Sequence, residues 1–322
     1  MPVTPPSSRA EFEGFPAYYE AEIAPYLAGK EKARRQAVTN FAILVGSLGA
    51  LAAAIGLFAP IGEARGQAAF FVAFIGLAGA TWLLNRTRTD IAHGLLEKIA
   101  GRLGCAYRGK IERPAYFEAF RALKLLPNHN REAWEDEVVG ARAGASFTLC
   151  EAHLRYKTSG KNSSTRTVFH GQLILIDYPK PFLGETVLLR DAGVFNALGK
   201  PGRAFARAQL ASPDFERAFE AWTTDQVEAR DLLDPIVLER FLELERLFDG
   251  KKLRAAFSGG KLMIAIETGD RLQLGTMFAP LEDPARVERV LKEFDVVFDL
   301  IDVLVKRAEG RLAGAFSVAD VR

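Results

Sequence analysis

The chain has 322 residues, 49% of them apolar and 25% charged, which is enough for one or two domains plus an apolar anchor. Its 42 Lys and Arg stand against 40 Asp and Glu, and a net charge of +2 argues against a large nucleic-acid footprint. Two cysteines, Cys105 and Cys150, make no disulfide framework, so the composition does not call for an oxidising compartment.

Residues 1–8, MPVTPPSS, are proline-rich and are expected to be disordered. Residues 9–36 read as a juxtamembrane helical segment. Ser8 and Glu11 have capping-box spacing, and Phe12, Phe15, Tyr18, Tyr19, Ile23 and Leu27 fall on one helical face that Pro16 and Pro25 disturb.

Residues 37–85 hold two charge-free runs, Phe41–Ala59 and Gln67–Leu84. At 1.5 Å per residue the first spans roughly 28 Å, close to the hydrocarbon thickness of a bilayer. The link PIGEARG is too short for a domain, so the pair is expected to form a transmembrane hairpin. Lys30, Lys32, Arg34 and Arg35 precede it and Arg86 and Arg88 follow it, whereas the link balances Glu63 with Arg65. The positive-inside rule then puts both termini in the cytoplasm, and the same six cations would lie near anionic lipid headgroups. Ala42, Gly46, Ala50 and Ala54 form a small-residue stripe that would pack against Gly76 and Ala80.

Beyond the second run, Ile91, Leu95, Ile99 and Leu103 keep helical spacing, with Gly104 as a stop. A further helix is expected over PAYFEAFRALKLL, ending before Pro127. ASFTLCEAHLRYK and TRTVFHGQLILIDY then read as strands joined by TSGKNSS, and ETVLLRD as a third, together an antiparallel meander. RAFARAQLAS adds a strand. SPDFERAFEAW reads as a short helix with Ser212 as N-cap and Pro213 at its first position, and DPIVLERFLELERLF repeats that grammar with Asp234 and Pro235. KLRAAFSGGKLMIAIETG is a hairpin around SGG, and DPARVERVLKEFDVVFDLIDVLVKR a long helix with a broad apolar face. Strands and helices without βαβ alternation give an α+β class: a transmembrane hairpin, then a cytoplasmic domain over 86–309 with a mainly antiparallel sheet and packed helices, then a flexible tail over 310–322.

Catalytic motifs are absent: no G-x-S-x-G, Walker loop, G-x-G-x-x-G or H-E-x-x-H. FSGGK lies between two strands, so it is a turn and not a phosphate loop. Glu151 and His153 share a strand face and His170 lies on the neighbouring strand. That spacing could serve a metal, but cross-strand polar pairing on a solvated sheet face accounts for it better, and no cofactor or metal is expected. Asp225, Glu228 and Asp231 line up at helical spacing beside Arg230. Such carboxylates can do acid–base work, yet a solvated helix face with capping contacts is the commoner use.

One set of segments carries a resemblance: LLPNHNREAWEDEVVGARAGASFTLCEAHL, VFHGQLILIDYPKPFLGETVLLRD and SPDFERAFEAWTTDQVEARDLLDP, in that order after two apolar runs. The telling residues are Leu126-Pro127, Glu135-Asp136 with Gly140, Glu151, Phe169 with Gly171, Phe215 with Phe219, and Asp225 with Glu228-Ala229-Arg230. In these the chain, from about Phe12 to about Val305, resembles the bacterial family catalogued as domain of unknown function 3137. The resemblance implies a membrane protein with a cytoplasmic domain of unassigned activity, and it brings no catalytic residues. The expected protein is integral to the inner membrane, a non-enzymatic tethered binding or scaffold module. The alternative is an enzyme with an acidic site acting on a lipid or a membrane-delivered substrate. Glu151, His153, Asp225, Glu228 and Arg230 are the first positions to test.

Overall fold

A computed structural model of the chain describes residues 3–60, 62, 64–160, 163–178, 181–190, 202–210, 213–247, 251–268 and 275–308. Two compact units make up the chain: Met1–Ile99 with Gln273–Val290, and Ala100–Leu272 with Leu291–Arg322.

The first unit is helical. After a 3-10 turn at Ala10–Phe12 come α1 (Phe15–Tyr18), a π-helical turn at Tyr19–Ile23 and α2 (Ala24–Phe58). The two prolines do not break the path. Pro16 sits in the first turn of α1, where no amide bond is lost. Pro25 follows the π-helical turn, whose wider ring accommodates the missing N–H. Residues 9–36 and the first apolar run thus share one helical course. Residues 3–8, expected to lack fixed structure, include a buried Val3 and a Thr4 amide that donates to Glu288 Oε1 at 2.9 Å.

Helix α3 (Ala64–Arg102) likewise runs through the second apolar run and on to the expected stop, with Gly104 left-handed at φ +75°. Ile91, Leu95, Ile99 and Leu103 are all buried, as their spacing predicts. The helix seam differs from expectation. Ala42, Gly46, Ala50 and Ala54 are exposed, and nothing lies within 4 Å of a Cβ built on Gly46. A Cβ on Gly76 would lie 2.7 Å from Leu48 Cβ, and one on Gly56 would lie 3.6 Å from Ala69. Gly76 therefore does face the partner helix, but it receives the bulky Leu48 rather than a second small stripe, and Ala80 is fully buried.

The second unit is built on a sheet with nine strands among the described residues. They are β1 (Ala106–Lys110), β2 (Arg131–Arg142), β3 (Ala145–Lys157), β4 (Thr165–Asp177), β5 (Thr186–Arg190), β6 (Ala206–Ala208), β7 (Phe219–Thr223), β8 (Lys251–Ser258) and β9 (Lys261–Glu267). Every pairing is antiparallel and the order is β1-β2-β3-β4-β9-β8-β5-β7-β6. The class is α+β. The simple meander is overturned: β5 pairs with β8, and the β8–β9 hairpin separates it from β4. That hairpin turns on Gly259 and Gly260, at φ +57° and +73°, the two left-handed residues a tight primed turn needs.

Helices α4 (Phe117–Ala122), α5 (Pro213–Ala218), α6 (Gln226–Leu232), α7 (Pro235–Leu247) and α8 (Ala285–Ala308) are the further helices among the described residues. α4 is shorter than the expected helix, and the helix around Pro213 ends at Ala218 because FEAWT becomes β7. Ser212 lies outside the described residues, as does the expected tail at 310–322.

Both sheet faces are covered. On one, Phe117 and Phe120 of α4 pack with Trp134, Cys150, Leu154, Phe169, Leu173 and Met263. On the other, Phe147 meets Phe298 of α8 edge-on at 5.9 Å, and Arg142 forks onto Asp302 with both bonds at 2.7 Å. The central strands read as nearly continuous apolar runs for this reason.

Candidate functional site

Cys150 and Glu151 show how alternation sorts the chemistry. The even positions of β3 enter the α4 side, where Tyr116 Oη donates to Cys150 Sγ at 3.2 Å. Burial pushes that thiol up to about 12 and the Cys105 thiol up to about 11, so neither is a ready nucleophile. The odd positions run Phe147, Leu149, Glu151, His153 along the α8 side.

Register makes His153 and His170 direct partners, and their rings stack at 4.4 Å. His170 Nε2 donates to Glu151 Oε1 at 3.0 Å, and Gln172 Nε2 donates to Glu151 Oε2 at 3.1 Å. His153 Nε2 lies 3.0 Å from Thr167 Oγ1. The sheet thus unites Glu151, His153 and His170, as their spacing suggests. The face is not solvated at its inner end, however: Glu151 is 2% exposed and Gln172 fully buried. Gln172 Oε1 has no hydrogen-bond partner among the described residues. Gln172 lines a cavity of about 20 Å³ together with Val138, Phe147, Leu149, Glu293, Phe294 and Val297, a volume of about one water. No cluster of three or more His, Cys, Asp or Glu side chains suited to a metal occurs among the described residues.

Asp225, Glu228 and Arg230 sit elsewhere. They follow β7, which is four strands from β4, roughly 19 Å at normal strand spacing. Asp225 is the N-cap of α6, and its Oδ1 accepts from the amides of Val227 and Glu228, both at 2.9 Å. Glu228 in turn accepts from the amides of Leu183 and Gly184 at 2.7 and 2.8 Å. Arg230 and Asp231 are exposed. The acidic row is therefore a cap and a loop clasp.

Sequence reasoning missed a charged cluster in the helical unit. Glu31 and Arg34 are both 8% exposed and form a two-bond pair at 2.7 and 2.8 Å, joined by Arg35 Nε at 2.9 Å. The Leu281 amide also donates to Glu31, and Arg34 Nη1 donates to the Met277 carbonyl. Arg34 holds the Glu31 carboxyl down at about 2, against the upward push of burial. Arg286, its pKa lowered by burial, donates to the carbonyls of Thr276, Ala279 and Pro280. The i, i+3 and i, i+4 spacing from Glu31 to Arg34 and Arg35 is present in the sequence, but a basic stretch before an apolar run reads equally as flanking charge. Arg34 is thereby removed from the expected headgroup-facing set. Lys32, Arg35 and Arg86 are exposed, Lys30 lies over Tyr26 at 5.5 Å and Arg86 over Trp82 at 5.9 Å.

Residues 167–306 match the model of a family described as "Protein of unknown function (DUF3137)", which supports the resemblance from β4 through most of α8. Among solved structures, the chain is similar to the crystal structure of the mycobacterial trehalose monomycolate transport factor A, TtfA. That likeness has 11% identity and a TM-score of 0.35, covering 66% of this chain and 95% of the other, and at that level it carries no argument. No curated protein matches the chain.

Proposed function

We propose that this is an integral protein of the bacterial inner membrane in which α2 and α3 cross the bilayer as a hairpin. Both termini lie in the cytoplasm, and the α+β domain acts as a tethered binding or scaffold module. One observation carries the membrane reading: the apolar runs are bare. Only 6% of the most apolar stretch of the first helix is buried, and 17% of the second. A core helix of a soluble protein would be mostly covered. Phe58, Phe70, Phe71, Phe74, Ile75 and Trp82 all point outward, far more apolar surface than water tolerates on a monomer. Lys30, Lys32, Arg35, Arg86 and Arg88 would meet anionic headgroups at the cytoplasmic leaflet.

The scaffold reading is supported by how the candidate acids are used. Asp225 and Glu228 hold backbone amides, and Glu151 is held by His170 and Gln172. The enzyme reading draws on the Glu151–His170–His153 strip, where a buried carboxylate meets two stacked imidazoles.

The test of topology is single-cysteine labelling in spheroplasts, since Cys105 and Cys150 are buried. With Arg65→Cys in the link and Thr4→Cys near the start, an impermeant maleimide should label the first and spare the second. Resistance to alkaline carbonate extraction should accompany this. Labelling of both sites, or release by carbonate, refutes the hairpin. Turnover of a lipid that Glu151→Gln abolishes without lowering thermal stability would replace the scaffold by the enzyme.

A further inference from the structure

Phe278 belongs to the run GTMFAPLEDP, residues 275–284, in the same unit as α2 and α3. The loop is held from within. Met277 and Leu281 are buried, Arg34 and Arg286 take four of its carbonyls, and Glu31 takes the Leu281 amide. The Phe278 amide itself donates to Thr276 Oγ1 at 3.2 Å. Yet the Phe278 side chain, between the buried Met277 and Leu281, points out and is 60% exposed. A bulky phenyl fixed in the open on an ordered loop costs little entropy to bury, because its backbone is already immobilised.

Its level relative to the helices is given by one contact. The Phe278 ring meets Phe41 edge-on, with centroids 5.7 Å apart. Phe41 is the first residue of the charge-free run, and Arg35, the last cation before it, lies six residues and so roughly 9 Å down the helix. Below that level Lys32, Arg35, Gln36, Thr39, Glu31 and Glu282 line an open recess of about 390 Å³. The vertical order is therefore cations and polar groups, then two phenyl rings, then bare hydrocarbon-compatible helix.

We propose that this loop is a membrane wedge: Phe278 seats at the headgroup–acyl boundary of the leaflet that α2 enters, beside Phe41. The inference rests on the hairpin crossing the bilayer. What surrounds the helix at the level of Phe41 is then lipid, so lipid is the occupant the geometry selects. Lys32 and Arg35 complement anionic headgroups, and Glu282 and Asp283 keep the seat shallow, since carboxylates stay out of hydrocarbon. This gives the helical unit a lipid contact that no hydropathy scan registers, because MFAPL is only five residues long.

The test uses the full chain in phosphatidylethanolamine–phosphatidylglycerol vesicles, with a nitroxide on Phe278→Cys and, as a second variant, on Pro280→Cys. Ile75→Cys marks the span and Lys157→Cys the aqueous reference. Power-saturation EPR then compares collision with oxygen and with a water-soluble nickel chelate. The wedge predicts that label 278 is at least threefold less accessible to nickel than label 157, with oxygen contact between that of labels 157 and 75. If 278 and 280 match 157 while 75 remains lipid-buried, the wedge is wrong and the hairpin stands. If 75 is also open to nickel, the spanning reading fails and takes the wedge with it. Shielding of 278 from both reagents would mean a protein partner or a second copy, and would overturn the lipid assignment.

Discussion

The α2–α3 pair and the sheet unit draw on the same side chains and turn them in opposite directions. In the sheet unit Phe117, Phe120, Phe169, Phe219, Phe241 and Phe257 are all within 1% of full burial. In the helix pair Phe58, Phe70, Phe71 and Phe74 lie open, while small Gly76 and Ala80 face inward. One region completes its apolar contacts with its own chain. The other leaves them to its surroundings and spends its interior on close helix approach. The charge-free composition of the runs and the direction of their side chains differ together from the sheet unit, and direction is what would separate a spanning helix from a core one in the proposed hairpin.

That contrast can be broken most severely in the sheet. A Cβ at Gly171 would lie 1.9 Å from the Ile266 carbonyl, so Gly171→Val must force β4 from β9. We expect a loss above about 4 kcal/mol, seen as a collapsed near-ultraviolet dichroism signal or as insoluble protein. Next is the clamp of the helical unit. Glu31→Gln leaves Arg34 buried without its counter-charge and should cost about 3–5 kcal/mol in chemical denaturation. The same pair sets an acid dependence. The Glu31 carboxyl is lowered in the fold, so its contribution is complete above its ordinary value near 4.5 and is lost as pH falls toward about 2. Acid melts of wild type should therefore show a step in that window that Glu31→Gln lacks.

Smaller effects sharpen the comparison. Ile75→Lys, at the middle of the second run, should cost about 3 kcal/mol of membrane insertion and raise the carbonate-extractable fraction, while leaving the sheet's dichroism unchanged. Asp225→Ala should lower stability by about 1 kcal/mol through loss of the cap, whereas Arg230→Ala should stay within about 0.5 kcal/mol in thermal melts. A larger effect of Arg230→Ala on binding than on melting would instead mark it as a contact residue.

What the sequence disclosed followed from local periodicity. β3, β4, the Gly259–Gly260 hairpin, the Asp234 cap of α7 and the stripe of α8 all carry their signal within a dozen residues. β2 did not, because it contains a bulge. Glu135 pairs with Glu151 and Val138 with Leu149, so one extra residue is inserted and Asp136 turns left-handed at φ +53°. Trp134 and Val138, four apart, therefore face opposite sides and the period of two is lost. β7 was hidden because FEAWT continues the helical spacing of PDFERA without a glycine or proline between them. The candidate site was legible only where neighbours are adjacent in register, as in Glu151, His153 and His170. The Glu31–Arg34 cluster closes on residues some 250 positions later, and no local pattern encodes that. Several residues that carry the family resemblance prove to be fold-builders: Asp136 the bulge, Gly140 against Phe147, Gly171 the close strand approach, Asp225 the cap.

The place of the β8–β9 hairpin in the sheet has a bearing on biosynthesis. Until Lys261 onward has been made, β4 has a naked hydrogen-bonding edge, and its partner at Asp177 waits 84 residues for it. At ordinary ribosome speeds that is roughly 4–17 s. The strands β1–β4 and β5–β7 form two half-sheets over that interval, each an adhesive template for a neighbouring nascent chain. A ribosome stalled before residue 251 would release both halves without the piece that joins them, so shortened products of this gene should clump rather than persist as soluble fragments.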